Sequence, residues 1–227
     1  LYDDARRFAA GLKARGIAPG DRVGLFLPNV PIYVAAYYGA MMAGAVVVNF
    51  SPLYSVDELS QQVADSGTRV LVTVDVPELY ATAEKVLAGS KLETLVVGEL
   101  ASMLPGLKKF AMKVLARSKI AKVAYGDAIV RWSGILDAGG SGLDAGAFTA
   151  IDPADLALLQ YTGGTTGRPK GAMLGHAQLA MNAQQVAAIN PFGDVSNEVF
   201  MGALPFFHVF ANTSLLNHAM VTGGSIA

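Results

Sequence analysis

The feature that most constrains this chain is a regular exchange, through its N-terminal part, between helical spacing and short β-branched or aromatic runs. Residues 2–15 place Phe8, Leu12 and neighbouring alanines at helical spacing. Gly16 supplies a stop, and Pro19-Gly20-Asp21 turns the chain into a strand over 22–27. Asn29 is read as the cap of a helix that carries Pro31 in its first turn and ends near Ala43, ahead of a strand over 45–50. Ser55-Val56-Asp57-Glu58 has the form of a capping box opening a helix to about Ser66, and Arg69 to Val74 reads as the next strand. A helix over 77–88 and a strand from Leu92 to Val97 complete another pair. Strands alternating with helices in this way predict an α/β fold: a doubly wound, mostly parallel sheet flanked by helices on both faces.

Ligands of such sheets bind at the carboxyl ends of the strands. Three loops are therefore candidates: the one after Phe50, the one after Tyr161, and Pro205-Phe206-Phe207-His208 after an expected strand from Glu198 to Leu204. The second is the richest in chemistry, reading Tyr161-Thr162-Gly163-Gly164-Thr165-Thr166-Gly167-Arg168-Pro169-Lys170-Gly171. Its glycines let successive backbone N–H groups converge on an anion, while Thr162, Thr165 and Thr166 offer hydroxyls and Lys170 an ammonium. That combination suits a polyphosphate. The lysine lies between Pro169 and Gly171, so the G-x-x-x-x-G-K-[ST] spacing fails and an ordinary P-loop NTPase is disfavoured. A Gly/Thr run can also be a plain surface turn. Here Gly, Thr and Lys fall in register between a buried strand over 155–161 and a helical pattern from about His176, which favours the phosphate loop.

Composition narrows the classes further. A hydrophobic fraction of 52%, with 15% charged residues, argues against disorder, and a net charge of −1 gives no field to attract nucleic acid. Without cysteine there is no disulfide scaffold, thiolate metal site or cysteine nucleophile, and three scattered histidines argue against zinc. The charge-free tracts 23–56 and 199–227 are long enough to span a bilayer but are broken by Pro28, Pro31 and Gly44, and by Pro205, His208, Asn212 and Asn217. An integral span is disfavoured for both. The first residues lack the basic and apolar regions of a signal peptide.

Positive charge gathers over 104–122, where Lys108, Lys109, Lys113, Arg117, Lys119 and Lys122 occur without an acid. Leu107, Phe110, Ala111, Val114 and Leu115 would share the other face of a helix. Such a basic amphipathic helix can dock on an anionic membrane surface, or pack on the sheet with its lysines solvated; packing is the favoured reading. Residues 139–146 form a glycine-rich connector. The chain thus divides into 1–97, the first helix/strand repeats; 98–150, an insertion; and 151–227, the phosphate-loop segment.

The segment from Leu159 to Lys170 resembles the signature loop of the adenylate-forming superfamily, which includes acyl-CoA synthetases, luciferases and peptide-synthetase adenylation domains. Gly20 to Asn29, Val48 to Tyr54 and Leu204 to Phe210 resemble further landmarks of those enzymes. Thr162-Gly163-Gly164, preceded by Leu-Gln-Tyr and followed by Lys170 to Leu174, resembles the bacterial long-chain fatty-acid CoA ligases, as does the basic insertion ending in Ile129-Val-Arg-Trp132. The resemblance implies part of the large N-terminal α/β domain of an enzyme that joins a fatty acid to CoA through an acyl-adenylate, with ATP, Mg2+ and CoA. It assigns Thr162, Gly163, Gly164, Thr165, Thr166, Gly167 and Lys170 to the ATP phosphates, Lys170 and His208 to catalysis, and Phe207 and His208 to the acyl/adenylate pocket. Thr165 or Thr166 is the candidate contact for the metal.

Phe206 and Phe210 read as packing or pocket wall, His176 as a cap or surface residue, and His218 has no assigned partner. Gly175 departs from the Ser or Thr that often precedes the first histidine in relatives. The resemblance places the adenine, magnesium and ribose residues and the adenylation lysine downstream of Ala227, so the chain is expected to be an N-terminal portion, inactive alone. An aryl or medium-chain acid remains an alternative substrate, and a non-catalytic nucleotide-binding or membrane-associated module an alternative of another class. The expected location is the cytoplasm, with peripheral membrane contact reasonable for a fatty-acid ligase. On the packed-helix reading, changing Lys108, Lys109 and Lys113 to Gln in the full-length gene product leaves flotation with anionic liposomes unchanged; loss of flotation would mark the segment as an anchor.

Overall fold

A computed structural model of the chain describes residues 1–104, 119–144, 148–162, 169–190 and 195–227. Lys108, Lys109, Lys113 and Arg117 of the basic segment, and Gly163, Gly164, Thr165, Thr166 and Gly167 of the phosphate loop, lie outside the described residues.

The elements run α1 (Tyr2–Ala14), β1 (Arg22–Phe26), α2 (Pro31–Met42), β2 (Val46–Phe50), α3 (Val56–Ser66), β3 (Thr68–Val74), α4 (Pro77–Gly89) and β4 (Thr94–Gly98). There follow β5 (Ile129–Arg131), α5 (Trp132–Ala138), β6 (Leu156–Thr162), β7 (Lys170–Gly175), α6 (His176–Ala188) and β8 (Val199–Phe200). The chain closes with α7 (Val209–Ala211), a π-helical segment (Asn212–Asn217), α8 (His218–Thr222) and β9 (Ser225–Ile226). The main sheet has the order β5-β4-β3-β1-β2-β6-β7. Its neighbours pair in parallel except the last two, which are antiparallel.

Successive strand residues point to opposite faces, and each face is covered. Val23, Leu25, Val47, Val70, Val72 and Leu158 meet helices α1, α2 and α5, whereas Phe26, Val48, Phe50, Leu71 and Leu95 meet α3 and α4. The sheet is doubly wound, as the alternation predicts. Within the charge-free tract 23–56, α2 is buried on nearly every side, consistent with a core helix. Among the described residues no helix is long and apolar enough to cross a membrane. The capping box is formed: the Ser55 Oγ accepts from Glu58 N–H at 3.3 Å, the Glu58 carboxylate accepts from Ser55 N–H at 2.8 Å, and Gly67 ends α3 at φ 64°.

Four local expectations need correction. Asn29 does not cap α2: Val30 is the N-cap and makes no side-chain cap bond, and the Asn29 amide reaches instead toward residues 202–206. The expected strand from Glu198 to Leu204 shrinks to β8, which pairs with β9 outside the main sheet. Beyond β8 the Gly202 N–H donates to the Ala227 carbonyl at 2.7 Å, while the Gly202 and Leu204 carbonyls accept from Asn29 and Pro205 lacks the N–H a ladder needs. Residues 170–175, read only as a lead into a helix, form the edge strand β7. The alternation also resumes within the 98–150 segment, where β5 joins β4 and Trp132 of α5 stacks on Phe8 at 4.7 Å.

Gly24 in β1 has no room for a side chain: a Cβ there would stand 2.5 Å from Phe50 Cε2 and 2.9 Å from Leu71 Cδ1. Gly24→Ala is expected to destabilise by about 1–3 kcal/mol, read as a lower denaturant midpoint. His176, half-buried at the start of α6, has its pKa lowered from 6.5 by desolvation, with Asp155 opposing. Its unfolded form therefore takes up the proton first, so its stabilising contribution is complete above about 6.5 and is lost as pH falls through the folded-state value. His176→Asn should lose less stability than the parent between neutral and mildly acidic pH, measured by urea midpoints across that range.

Candidate functional site

Every candidate loop that the structure describes lies at the carboxyl edge of the parallel strands. β6 ends at Thr162 and the antiparallel β7 begins at Lys170, so these two residues face each other in register at the mouth of a β-hairpin. The Thr162 hydroxyl donates to the Lys170 carbonyl at 3.4 Å, and both residues are exposed. Behind them, Tyr161 is buried, lies 6.4 Å centroid to centroid from Phe50, and donates its hydroxyl to the Asp65 carboxylate at 2.5 Å. Burial first, and then the Asp65 charge, raise the Tyr161 pKa well above 10, keeping the phenol a donor. The hairpin mouth is thus held by strand pairing and by a buried tyrosine anchor. A cation and a hydroxyl at such an open edge fit the anionic phosphates assigned to them.

The Pro205–His208 turn reaches the same edge by a different means. Asn29, just past β1, donates from Nδ2 to the Gly202 and Leu204 carbonyls, both at 2.8 Å, and its Oδ1 accepts from Phe206 N–H at 2.8 Å. Gln160 of β6 donates from Nε2 to the Phe207 carbonyl at 3.0 Å. The Tyr33 hydroxyl of α2 lies 2.7 Å from Asn49 Oδ1 and 3.0 Å from the Phe206 carbonyl, sharing its proton between them. Asn49 Nδ2 in turn donates to Gln160 Oε1 at 3.2 Å. Burial raises the Tyr33 pKa well above 10, so this hydroxyl stays protonated. A polar chain therefore runs from α2 across β2 and β6 to the backbone of the turn, two residues before Thr162 on the same strand.

His208 caps α7, its Nδ1 accepting from Phe210 N–H at 3.3 Å, which assigns the neutral ring's proton to Nε2. The imidazole is exposed, and Phe207 beside it is half-buried. Phe206 is buried and tilts against Tyr33 at 5.6 Å, whereas Phe210 is 61% exposed and packs little. His218 is buried against Phe200 at 5.1 Å, and its Nε2 has no hydrogen-bond partner among the described residues. Among the described residues no group of three His, Asp or Glu could hold a metal, and Thr165 and Thr166 lie outside them.

The structure thus ties the His208 turn to the strand that carries Thr162. Asn29, Tyr33, Asn49 and Gln160 escape a reading based on reactive side chains. The signal for Asn49 and Gln160 is a single amide near the end of each of two apolar strands, 46–50 and 156–162.

Comparison with known proteins agrees with this fold. The chain is 34% identical over 228 residues to a long-chain-fatty-acid–CoA ligase of Bacillus subtilis, an alignment covering 98% of this chain and 40% of that protein. The crystal structure of a long-chain-fatty-acid-CoA ligase from Archaeoglobus fulgidus superposes with a TM-score of 0.76 at 28% identity, over 99% of this chain and 38% of that one. ATP-bound MatB from Rhodopseudomonas palustris superposes with a TM-score of 0.73 at 25% identity, over 99% and 38% of the respective chains. The chain therefore spans about two fifths of the length of these relatives. The AMP-binding enzyme model matches residues 1–227, and the chain belongs to that family.

Proposed function

We propose that this chain supplies the phosphate-handling and histidine-bearing part of an ATP-dependent fatty acid–CoA ligase. The observation that carries the reading is the joint placement, at one strand edge, of the Thr162/Lys170 hairpin mouth and the His208 turn that Gln160 holds to β6. Long-chain ligases among the similar proteins support a fatty acid as the substrate class.

In this reading the acid's carboxylate attacks the α-phosphorus of ATP, giving acyl-AMP and pyrophosphate, and the CoA thiol then displaces AMP. Negative charge builds on the departing pyrophosphate during the first step. Lys170 meets it as a cation whose backbone is fixed by the β6/β7 ladder, and Thr162 can donate to it once its hydroxyl turns from the Lys170 carbonyl. His208, protonated on Nε2, offers a hydrogen bond at the same edge to the carboxylate or adenylate. Mg2+ would share the phosphate charge when bound; Thr165 or Thr166 is the proposed contact.

Fatty-acid-dependent exchange of pyrophosphate into ATP by the full-length gene product tests the reading. Exchange without any acid dependence would support the nucleotide-binding module instead, and a preference for aryl or medium-chain acids in a substrate series would replace the fatty acid. Lys170→Ala is expected to slow adenylation by about 3 kcal/mol of barrier, on the order of 100-fold, while thioester formation from supplied acyl-AMP changes far less. Equal loss in both steps would contradict the role given to Lys170.

A further inference from the structure

We propose that Asn29 is a positioning residue that sets the place of His208 by clamping the backbone of the turn before it. The inference rests on the functional reading of His208 given above, but its structural half stands independently. An asparagine side chain has one carbonyl and two N–H donors, and Asn29 uses both ends on one short segment. Its Nδ2 holds the Gly202 and Leu204 carbonyls and its Oδ1 holds the Phe206 amide, each at 2.8 Å, across more than 170 residues of sequence. The turn lies off the main sheet, and past the end of β8 the Gly202 N–H donates to the Ala227 carbonyl at 2.7 Å, leaving the Gly202 and Leu204 carbonyls and the Phe206 N–H to Asn29.

Two further carbonyls of the turn are held by side chains, Phe206 O by Tyr33 and Phe207 O by Gln160. His208 N–H then closes the turn onto the Pro205 carbonyl at 3.0 Å. The histidine thus takes its position from side chains on β6, α2 and the β1–α2 junction, and Asn29 makes the most bonds of the three. Asn29 lies at the carboxyl end of β1, whereas His208 serves the edge formed by β2 and β6, so Asn29 acts through the turn.

The test is a double-mutant cycle in the full-length gene product, combining Asn29→Ala with His208→Ala and reading fatty-acid-dependent pyrophosphate exchange. Asn29→Ala is expected to lower kcat on the order of 100-fold by displacing the turn, with KM for ATP little changed. In the His208→Ala background the same change should cost almost nothing more, because both substitutions remove one function. Losses that simply multiply would make Asn29 a general structural residue and overturn the proposal. Amide hydrogen exchange separates this failure from a failure of the functional reading. Asn29→Ala should speed exchange at Phe206 whatever the activity, and unchanged protection there overturns the clamp. If His208→Ala alone leaves adenylation intact while Phe206 is deprotected, the role of His208 falls and the proposed link to catalysis falls with it. Where Asn29→Ala does not fold, Asn29→Asp keeps the acceptor for Phe206 N–H and loses both donors. It should show the same non-additivity with His208→Ala, and full activity in that variant is the overturning result.

Discussion

The constraint on which the rest of the structure depends is a buried line of polar groups, Tyr33, Asn49 and Gln160, set among the apolar side chains between the sheet and α2. Burying an amide is unfavourable unless its hydrogen-bonding groups are matched, so each member of the line fixes its neighbour. Asn49 and Gln160 are partners in the register of β2 and β6, and their amides bond directly at 3.2 Å. A slip of one residue in either strand would turn its amide to the opposite face, among Phe50, Val48 and Leu59, and away from its partner. Apolar strands pack in several registers at similar cost; these two amides select one.

The same line couples the sheet to the distant turn. The outer N–H of Gln160 is spent on the Phe207 carbonyl, and the Tyr33 proton is shared with the Phe206 carbonyl. If the turn were withdrawn, those groups would lose partners in a place water reaches poorly. Docking of residues 202–208 is thus built into the satisfaction of the core. The adjoining helical run is joined to α2 in the same way, Tyr37 donating to Asn212 Oδ1 at 3.0 Å and Tyr38 to Asn217 Oδ1 at 2.7 Å. The π-helical turn over Asn212–Asn217 places both amides within reach of α2, and Asn217 Nδ2 bonds Asn212 Oδ1 at 3.0 Å.

How legible this was depends on the range of the interaction. The first four helix–strand pairs follow from local spacing, caps and β-branched runs, and the Ser55/Glu58 box and Gly67 stop appear where their residues place them. Lys170 and Thr162 could be singled out because glycine, hydroxyl and cation recur at fixed short offsets. Asn29 was misread because an asparagine before Pro31 has the local form of a helix cap, and nothing local shows that its amide is engaged by residues 202–206. The strand expected over 198–204 pairs with β9 off the main sheet, and two of its carbonyls, those of Gly202 and Leu204, accept from that same side chain. β7 was missed because Gly171, Ala172 and Gly175 dilute the β-branched signal, and pairing with β6 supplies what propensity lacks.

Two different means therefore hold the two halves of the candidate site. The Thr162/Lys170 mouth is fixed by a backbone ladder, with Tyr161 pinned to Asp65 beneath it, so its geometry tolerates most changes of side chain. The His208 turn has no ladder and is held by side-chain amides and one phenol, so single substitutions remote from the reacting atoms can move it. Gln160 belongs to both arrangements, since its backbone pairs with Ala172 in the hairpin and its side chain holds Phe207. A displacement of β6 must then shift the Thr162/Lys170 mouth and the histidine together. Their relative placement is thus set through one strand, as the proposed transfer between a phosphate and a carboxylate would need.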